Sequence, residues 1–222
     1  MEQDGENRRK ESRGQIMEYD KLVQIVKKTA FVKLINTERN KGLVEYLISK
    51  QFLDLSAVVK IILKKDKVNM ITTPLLKEDA EILGMTEEEL YAIALENTVR
   101  LFPPKLMSLG KFIETSVGEK LPYEEGMVNL YILTNKEEVN GAVYFMITEV
   151  IGKIADALED ELYIFPGSVN EVYIARASEL KKSVDELKEM VRDVNDTSVN
   201  EKDILSYSVY YYDKENDITI AA

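Results

Sequence analysis

The run from Leu55 to Thr72 constrains the fold most. Leu55–Lys64 holds Val58, Val59, Ile61, Ile62 and Leu63, a density of β-branched and aliphatic residues that suits a strand. A turn at Lys65-Asp66-Lys67 leads into a second extended run, Val68–Thr72, and Pro74 ends it. Strands joined by so short a link pair antiparallel. A hairpin at this point favours antiparallel or mixed pairing in whatever sheet the chain forms.

Around that hairpin, strand-like and helical patterns alternate. Leu22, Val23, Ile25 and Val26 suit a short helix running into Lys27 and Lys28, and Phe31–Ile35 reads as a strand. Asn36-Thr37 opens a second helix with Leu43, Val44 and Leu47 on one side. Leu75–Leu83 reads as a helix stopped at Gly84. Thr86-Glu-Glu-Glu89 is a capping box, with a hydroxyl at the N-cap and a Glu three residues on. Leu90, Ile93 and Ala94 form the apolar stripe behind it, and Phe102-Pro-Pro104 ends that helix. Residues 105–126 contain Gly110, Gly118, Pro122 and Gly126 and read as an irregular loop.

Val128–Leu133 and Gly141–Ile147 suggest a second strand pair across the turn region Asn135–Asn140. Val150, Ile151, Ile154 and Leu158 recur at helical spacing. Leu162–Phe165 and Glu171–Ala175 are two more strands, and Ser183-Val-Asp-Glu186 is a second capping box. Tyr207–Tyr212 and Asp217–Ile220 close the chain as a hairpin. Residues 57–97 and 128–158 thus share a plan of hairpin followed by helix. The expected class is α+β, an antiparallel or mixed sheet built from hairpins with helices packed on it. Residues 1–14 lack apolar periodicity and read as a disordered charged tail. Residues 15–222 form one domain, with 15–104 and 127–222 as two lobes joined by 105–126.

Composition narrows the chemistry. The chain has no cysteine and no histidine. Disulfides, thiolate metal sites, cysteine nucleophiles, imidazole bases and imidazole ligands are all excluded. Phosphate-loop, dinucleotide and nucleophile-elbow motifs are missing as well. No signal-like apolar segment is present near the N-terminus and no run approaches the roughly 20 apolar residues a membrane helix needs. A cytoplasmic location and no membrane or cofactor are the expectations. The formal charge is −11. Residues 15–77 carry 12 bases against six acids, whereas residues 78–222 carry 30 acids against 13 bases.

Oxygen chemistry survives this filter. Glu159, Asp160 and Glu161 before a strand, with Glu171 inside one, are the candidates for a divalent metal held by oxygen ligands. Glu171 is followed by Val172 and Tyr173, so the acid-x-Lys pattern of a metal-dependent nuclease is missing. Ser168 lies in a Pro-Gly-Ser turn where a nucleophile is presentable, yet no base stands beside it in sequence; Lys182 and Lys188 are the only suggestions. A hydroxyl capping its own turn explains Ser168 as well. Lys60, Lys64, Lys65 and Lys67 suit phosphates or an acidic protein, but also the protection of an exposed edge. Tyr210 and Tyr212 share one strand face and Tyr211 takes the other; they suit a contact surface or ordinary sheet packing.

Several phrases recur in order: Phe31–Lys41, Asp54-Leu-Ser56, Leu83–Tyr91, Glu96–Pro103, Leu130–Asn135, Leu162–Val172, Glu189–Asn195 and Ile204–Asp213. With them the chain resembles, over residues 17–222, an uncharacterised family from gut Firmicutes of the Lachnospiraceae type, known only as a domain of unknown function. The resemblance implies a bacterial cytoplasmic protein and no reaction. Relatives carry a further N-terminal segment where this chain has its charged tail. They often have a histidine at the position of Asn170 and an aspartate at that of Tyr207, which weakens an enzymatic reading of this copy. The expected function is a non-catalytic protein-interaction module whose partner is another protein; nucleic acid is disfavoured by the acidic charge. The alternatives are an acidic decoy that mimics nucleic acid, and a carboxylate-based Mg²⁺-dependent hydrolase.

Overall fold

The structure, a computed structural model, describes residues 18–66, 69–118 and 128–220. The chain forms two compact units, each assembled from separated stretches. The first takes Met1–Val32, Leu43–Ser49 and Val58–Leu101; the second takes Lys33–Gly42, Lys50–Ala57 and Phe102–Ala222. Both belong to an α+β fold with two antiparallel sheets of four and six strands. The expected tail, residues 1–14, lies outside the described residues.

Helix α1 (residues 18–29) leads into β1 (Ala30–Asn36). After a 3-10 turn (Glu38–Asn40) and the short α2 (Lys41–Val44) come β2 (Ser49–Phe52), β3 (Leu55–Lys65) and β4 (Met70–Pro74). These four strands form one sheet in the order β1-β3-β2, with β4 also on β3. The β3–β4 hairpin is the one the sequence demanded. Its register runs from Lys60 opposite Pro74 to Lys65 opposite Met70 and shifts between Ile62 and Lys64. Such a shift leaves one residue outside the ladder, and Leu63 accordingly stays 60% exposed while Ile61 and Ile62 are buried.

In the first unit, α3 (Lys77–Ile82) and α4 (Glu87–Leu101) follow. The Thr86 box forms: Glu89 Oε2 accepts from the Thr86 backbone N–H (2.8 Å) and Thr86 Oγ1 from that of Glu89 (3.1 Å). Leu90 and Ala94 are fully buried behind it. The far end of α4 does a second job. Thr98 Oγ1 accepts from the β1 backbone at Val32 (2.8 Å), while Asn97 and Arg100 donate to the carbonyls of Lys27 and Lys28 (2.8 and 2.9 Å). A helix leaves its last four carbonyls without internal partners, so α4 side chains complete the end of α1.

The second unit holds β5 (Pro104–Ser108), α5 (Leu109–Val117), β6 (Tyr131–Asn135), a 3-10 segment (Gly141–Met146) and α6 (Thr148–Leu158). Then follow β7 (Leu162–Ser168), β8 (Glu171–Arg176), α7 (Val184–Ser198), β9 (Tyr210–Asp213) and β10 (Asp217–Ile220). Its sheet has the order β10-β9-β7-β8-β6-β5. Alternation sorts the side chains into two faces. One carries Leu162, Ile164, Leu133, Val172, Ile174, Tyr210 and Tyr212, all buried beneath the 3-10 segment and α6. The opposite face carries Tyr163, Phe165, Tyr173 and Tyr211.

Three expectations are corrected. Gly141–Ile147 is no strand: Gly141–Phe145 are all buried in a 3-10 turn, so the apolar run reflects complete burial rather than an extended chain, two cases that short runs do not separate. The hairpin-then-helix plan therefore holds for residues 57–97 and fails for 128–158. Residues 105–118 are not irregular. Pro103 and Pro104 stand at the start of an edge strand, where a missing N–H is harmless. The following α5 is capped by the Ser108 hydroxyl on Lys111 N (3.3 Å) and ends at Gly118 with φ of 80°; residues 119–126 lie outside the described set. The helix expected from Asn36 shrinks to a single turn because Ile48 N is taken by Leu75 O (3.0 Å) and Leu47 bridges Leu76.

Candidate functional site

In the second unit α7 is the element that builds a surface. Its capping box forms as the sequence implied: Ser183 N donates to Glu186 Oε2 (2.8 Å) and Glu186 N to Ser183 Oγ (3.3 Å). The Ser183 backbone N–H and, at 2.9 Å, its hydroxyl both donate to the Glu186 carboxylate and hold it below the usual value. From that start, Leu187 and Val191 turn inward and pack with Val209 against Tyr163, Phe165 and Tyr211. Met190 and Val194, one turn apart, border that cluster and remain 49% and 47% exposed.

The exposure has a geometric cause. Six strands about 4.8 Å apart make a face roughly 24 Å wide, more than one helix of about 10 Å diameter covers. Helix α7 packs on β7, whereas α5 packs on β5 and β6. Between them lies an apolar groove of about 350 Å³, floored by Leu130, Phe165 and Tyr173 and walled by Leu109, Met190 and Val194. Among the described residues Lys182 is its one charged lining residue. On the outer side of α7, Glu186, Glu189 and Asp193 are exposed.

The carboxylates anticipated from the sequence go elsewhere. Glu159, Asp160 and Glu161 line a cleft of about 740 Å³ together with Asp156, Asp213 and Glu215. Asp160 accepts from Ser178 Oγ and, at 3.4 Å, from Ser178 N; Glu161 accepts from the Tyr211 hydroxyl. That last bond pushes the Tyr211 phenol up. Lys214 Nζ lies 2.5 Å from Asp156, a pairing that raises the lysine. Glu171 is remote from the trio. It stands opposite Ser168 at the far end of β7, about 20 Å along the strand. Burial, partly opposed by a hydrogen bond from Ser168 and reinforced by Asp203 and Glu138, raises its carboxyl. Among the described residues no three acidic side chains are grouped to hold a metal ion.

Ser168 is buried and its Oγ accepts from Asn170 N (3.0 Å), a hydroxyl closing its own turn. Asn170 in turn accepts from Asn140 N through Oδ1 (3.0 Å), and Tyr207 donates to Asp196 (2.9 Å). Lys60 sits partly buried in β3 of the first unit, where desolvation lowers its pKa. Lys64 and Lys65 are exposed at the end of that strand, and Lys67 lies outside the described residues. Tyr210 and Tyr212 are withdrawn from any contact surface at 0% and 5% exposure, because their shared strand face is the one α6 and the 3-10 segment cover.

One cluster escaped sequence reasoning. Asp54 accepts three hydroxyl bonds, from Ser206 (2.6 Å) and Ser208 (3.0 Å) on Oδ2 and from Tyr210 (2.8 Å) on Oδ1. Burial and the facing carboxylate push the Tyr210 phenol far up. The preceding Leu53 holds φ of 54°, a left-handed conformation that bulky residues seldom take. No local signal announces partners more than 150 positions away.

The fold and its surfaces define an α+β protein with an apolar groove and an acidic cleft. The chain belongs to the family of unknown function DUF5688, whose profile matches residues 3–214. The match begins inside the charged segment 1–14, correcting the expectation that the family likeness starts at residue 17. No curated protein and no solved structure matches the chain. No helix among the described residues is long and apolar enough to cross a membrane.

Proposed function

We propose that this protein is a non-catalytic protein-interaction module whose partner lays an amphipathic helix in the groove beside α7. The observation that carries the reading is the exposed pair Met190 and Val194 above an apolar floor. Apolar side chains at a four-residue step on one side of a groove are how helix-in-groove recognition is built. Along α7 the acids Asp185, Glu186, Glu189, Asp193 and Asp196 outnumber Lys188 and Arg192, so the partner helix carries Lys or Arg beside its apolar stripe. The absence of cysteine fits a reducing compartment, and the proposed setting is a bacterial cytoplasm.

Selection of displayed peptides on the purified protein tests this. Enriched sequences should combine helical apolar spacing with basic flanks, and Val194→Glu should weaken them about tenfold or more by burying a charge. Enriched peptides that bind the variant as tightly as the parent would move the site away from α7.

A second reading, the acidic decoy, is favoured by the six carboxylates around one cleft. Its test is whether a basic oligopeptide is captured at physiological salt and released by combined Asp156→Asn, Glu159→Gln and Glu215→Gln changes. Capture that survives those changes removes this reading.

A further inference from the structure

A helix of the kind that suits the groove beside α7, apolar along one stripe with bases next to it, is present in this same chain. Helix α1 belongs to the first unit. Its C-terminal end is anchored: Val26 and Ala30 are buried, and Asn97 and Arg100 donate to the carbonyls of Lys27 and Lys28. Its other half is uncovered, with residues 18–22 all exposed. Tyr19, Leu22 and Ile25 stay 41%, 42% and 48% exposed. At about 100° per residue these three span roughly 120° of the helix surface, one continuous apolar stripe. Lys21 and Lys28 are exposed beside it, about 40° and 60° from Ile25 on the same side.

Helix α7 repeats this spacing with the opposite charge. Glu186 and Asp193 are exposed and stand about 40° and 60° from Met190, again on one side. Each charged pair is seven residues apart, roughly 10.5 Å along its helix. Laid antiparallel to α7 with Ile25 beside Met190, α1 brings Lys21 level with Asp193, Lys28 with Glu186 and Leu22 with Val194, each to within one residue or about 1.5 Å. A parallel approach puts the lysines and the acids on opposite flanks of the contact. Both Ser183 bonds to Glu186 fall on Oε2, so Oε1 remains to accept a lysine.

We infer that the groove takes α1 of a second copy of this chain, so that the protein associates with itself through α1 of one molecule and the α7 groove of another. This rests on the reading of the groove as a helix-binding site and names its occupant. Burial of Tyr19, Leu22 and Ile25 drives the contact, and the lysine–acid pairs set its direction and register. The two surfaces differ, so the contact is heterologous and propagates from molecule to molecule unless two copies exchange helices reciprocally.

Sedimentation velocity of the full chain, taken up to about 1 mM because a single helix-in-groove contact falls in the small, transient class of interface, tests this. The expected result is an average mass that rises with concentration. Leu22→Glu and Val194→Glu should each weaken association about tenfold or more by burying a charge. Mixed, the two variants should form a heterodimer and stop there, because the first keeps its groove and the second keeps its α1. Lys21→Glu should weaken association, and adding Asp193→Lys should recover it. Lys21 is exposed, so this pair keeps the test valid if Leu22→Glu disturbs the seat of Val26. A mass that stays at that of one chain, association indifferent to Val194→Glu, a mixture no larger than its components, or a double variant no better than Lys21→Glu alone would each overturn the inference. If selected peptides still bind a chain that stays monomeric, and lose affinity with Val194→Glu, the groove reading survives and the occupant named here is wrong.

Discussion

Replacing Asp54 with alanine probes a set of contacts within the second unit that joins residues more than 150 positions apart. The carboxylate accepts three hydroxyl protons, from Ser206, Ser208 and Tyr210. Ser206 and Tyr210 are buried at 1% and 0% exposure, so neither hydroxyl is compensated by solvent once its acceptor is gone. A hydrogen bond to a charged group contributes about 1.5–3 kcal/mol, and stranding a buried polar group costs about 1–3 kcal/mol. Three bonds to one side chain do not add, and Asp54 itself is only half-buried. The expected loss is therefore about 2–4 kcal/mol. Asp54→Asn keeps the shape and one acceptor oxygen, and should lose about half as much. Urea unfolding followed by tyrosine fluorescence reads both. A double-mutant cycle with Tyr210→Phe should return a coupling of about 1 kcal/mol or more. A loss under 0.5 kcal/mol for Asp54→Ala, with no coupling to Tyr210, would refute the claim that this knot fastens residues 50–57 to β9.

Glu171 gives a pH signature. Its carboxyl is raised in the folded protein, so ionising it costs more there than in the unfolded chain. The penalty is absent below the ordinary value of 4.5 and sets in as pH rises through the folded value. Glu171→Gln should therefore stabilise the protein at pH 7, with the gain fading as pH falls from the raised folded value towards 4.5 and gone below it in thermal melts; a gain independent of pH would contradict the assignment. At Gly141 an added Cβ would meet Asn170 O at 2.5 Å, Thr134 Oγ1 at 2.5 Å and Thr134 Cα at 2.7 Å. Two of these are backbone atoms, which do not rotate aside, so Gly141→Ala should cost about 2 kcal/mol or more; an unchanged melting temperature would mean the turn is looser than its contacts indicate.

Elements whose structure depends on near neighbours were legible. The β3–β4 hairpin and both capping boxes formed because β-branched density, a polar turn and a Ser/Thr-to-Glu spacing act over a few residues. Residues 141–147 were misread because an apolar run carries the same letters whether it is a strand or a buried 3-10 turn. β2, Ser-Lys-Gln-Phe, was overlooked because nothing in its composition favours a strand; pairing with β3 recruits it. Glu159–Glu161 were legible as an acidic group, but their company, Asp213 and Glu215, comes from the final hairpin.

What the sequence determined alone was the α+β class, the excluded cysteine and histidine chemistries, and the periodicity that gives α7 a buried stripe. The tertiary structure alone decided that Met190 and Val194 border a groove, that Asp54 meets Ser206 and Tyr210, and that Leu22 and Ile25 stay exposed on α1. The physical reason is range. Backbone preference and side-chain spacing act over a turn or two of chain, whereas a surface is made by which distant segments the sheet order β10-β9-β7-β8-β6-β5 brings side by side.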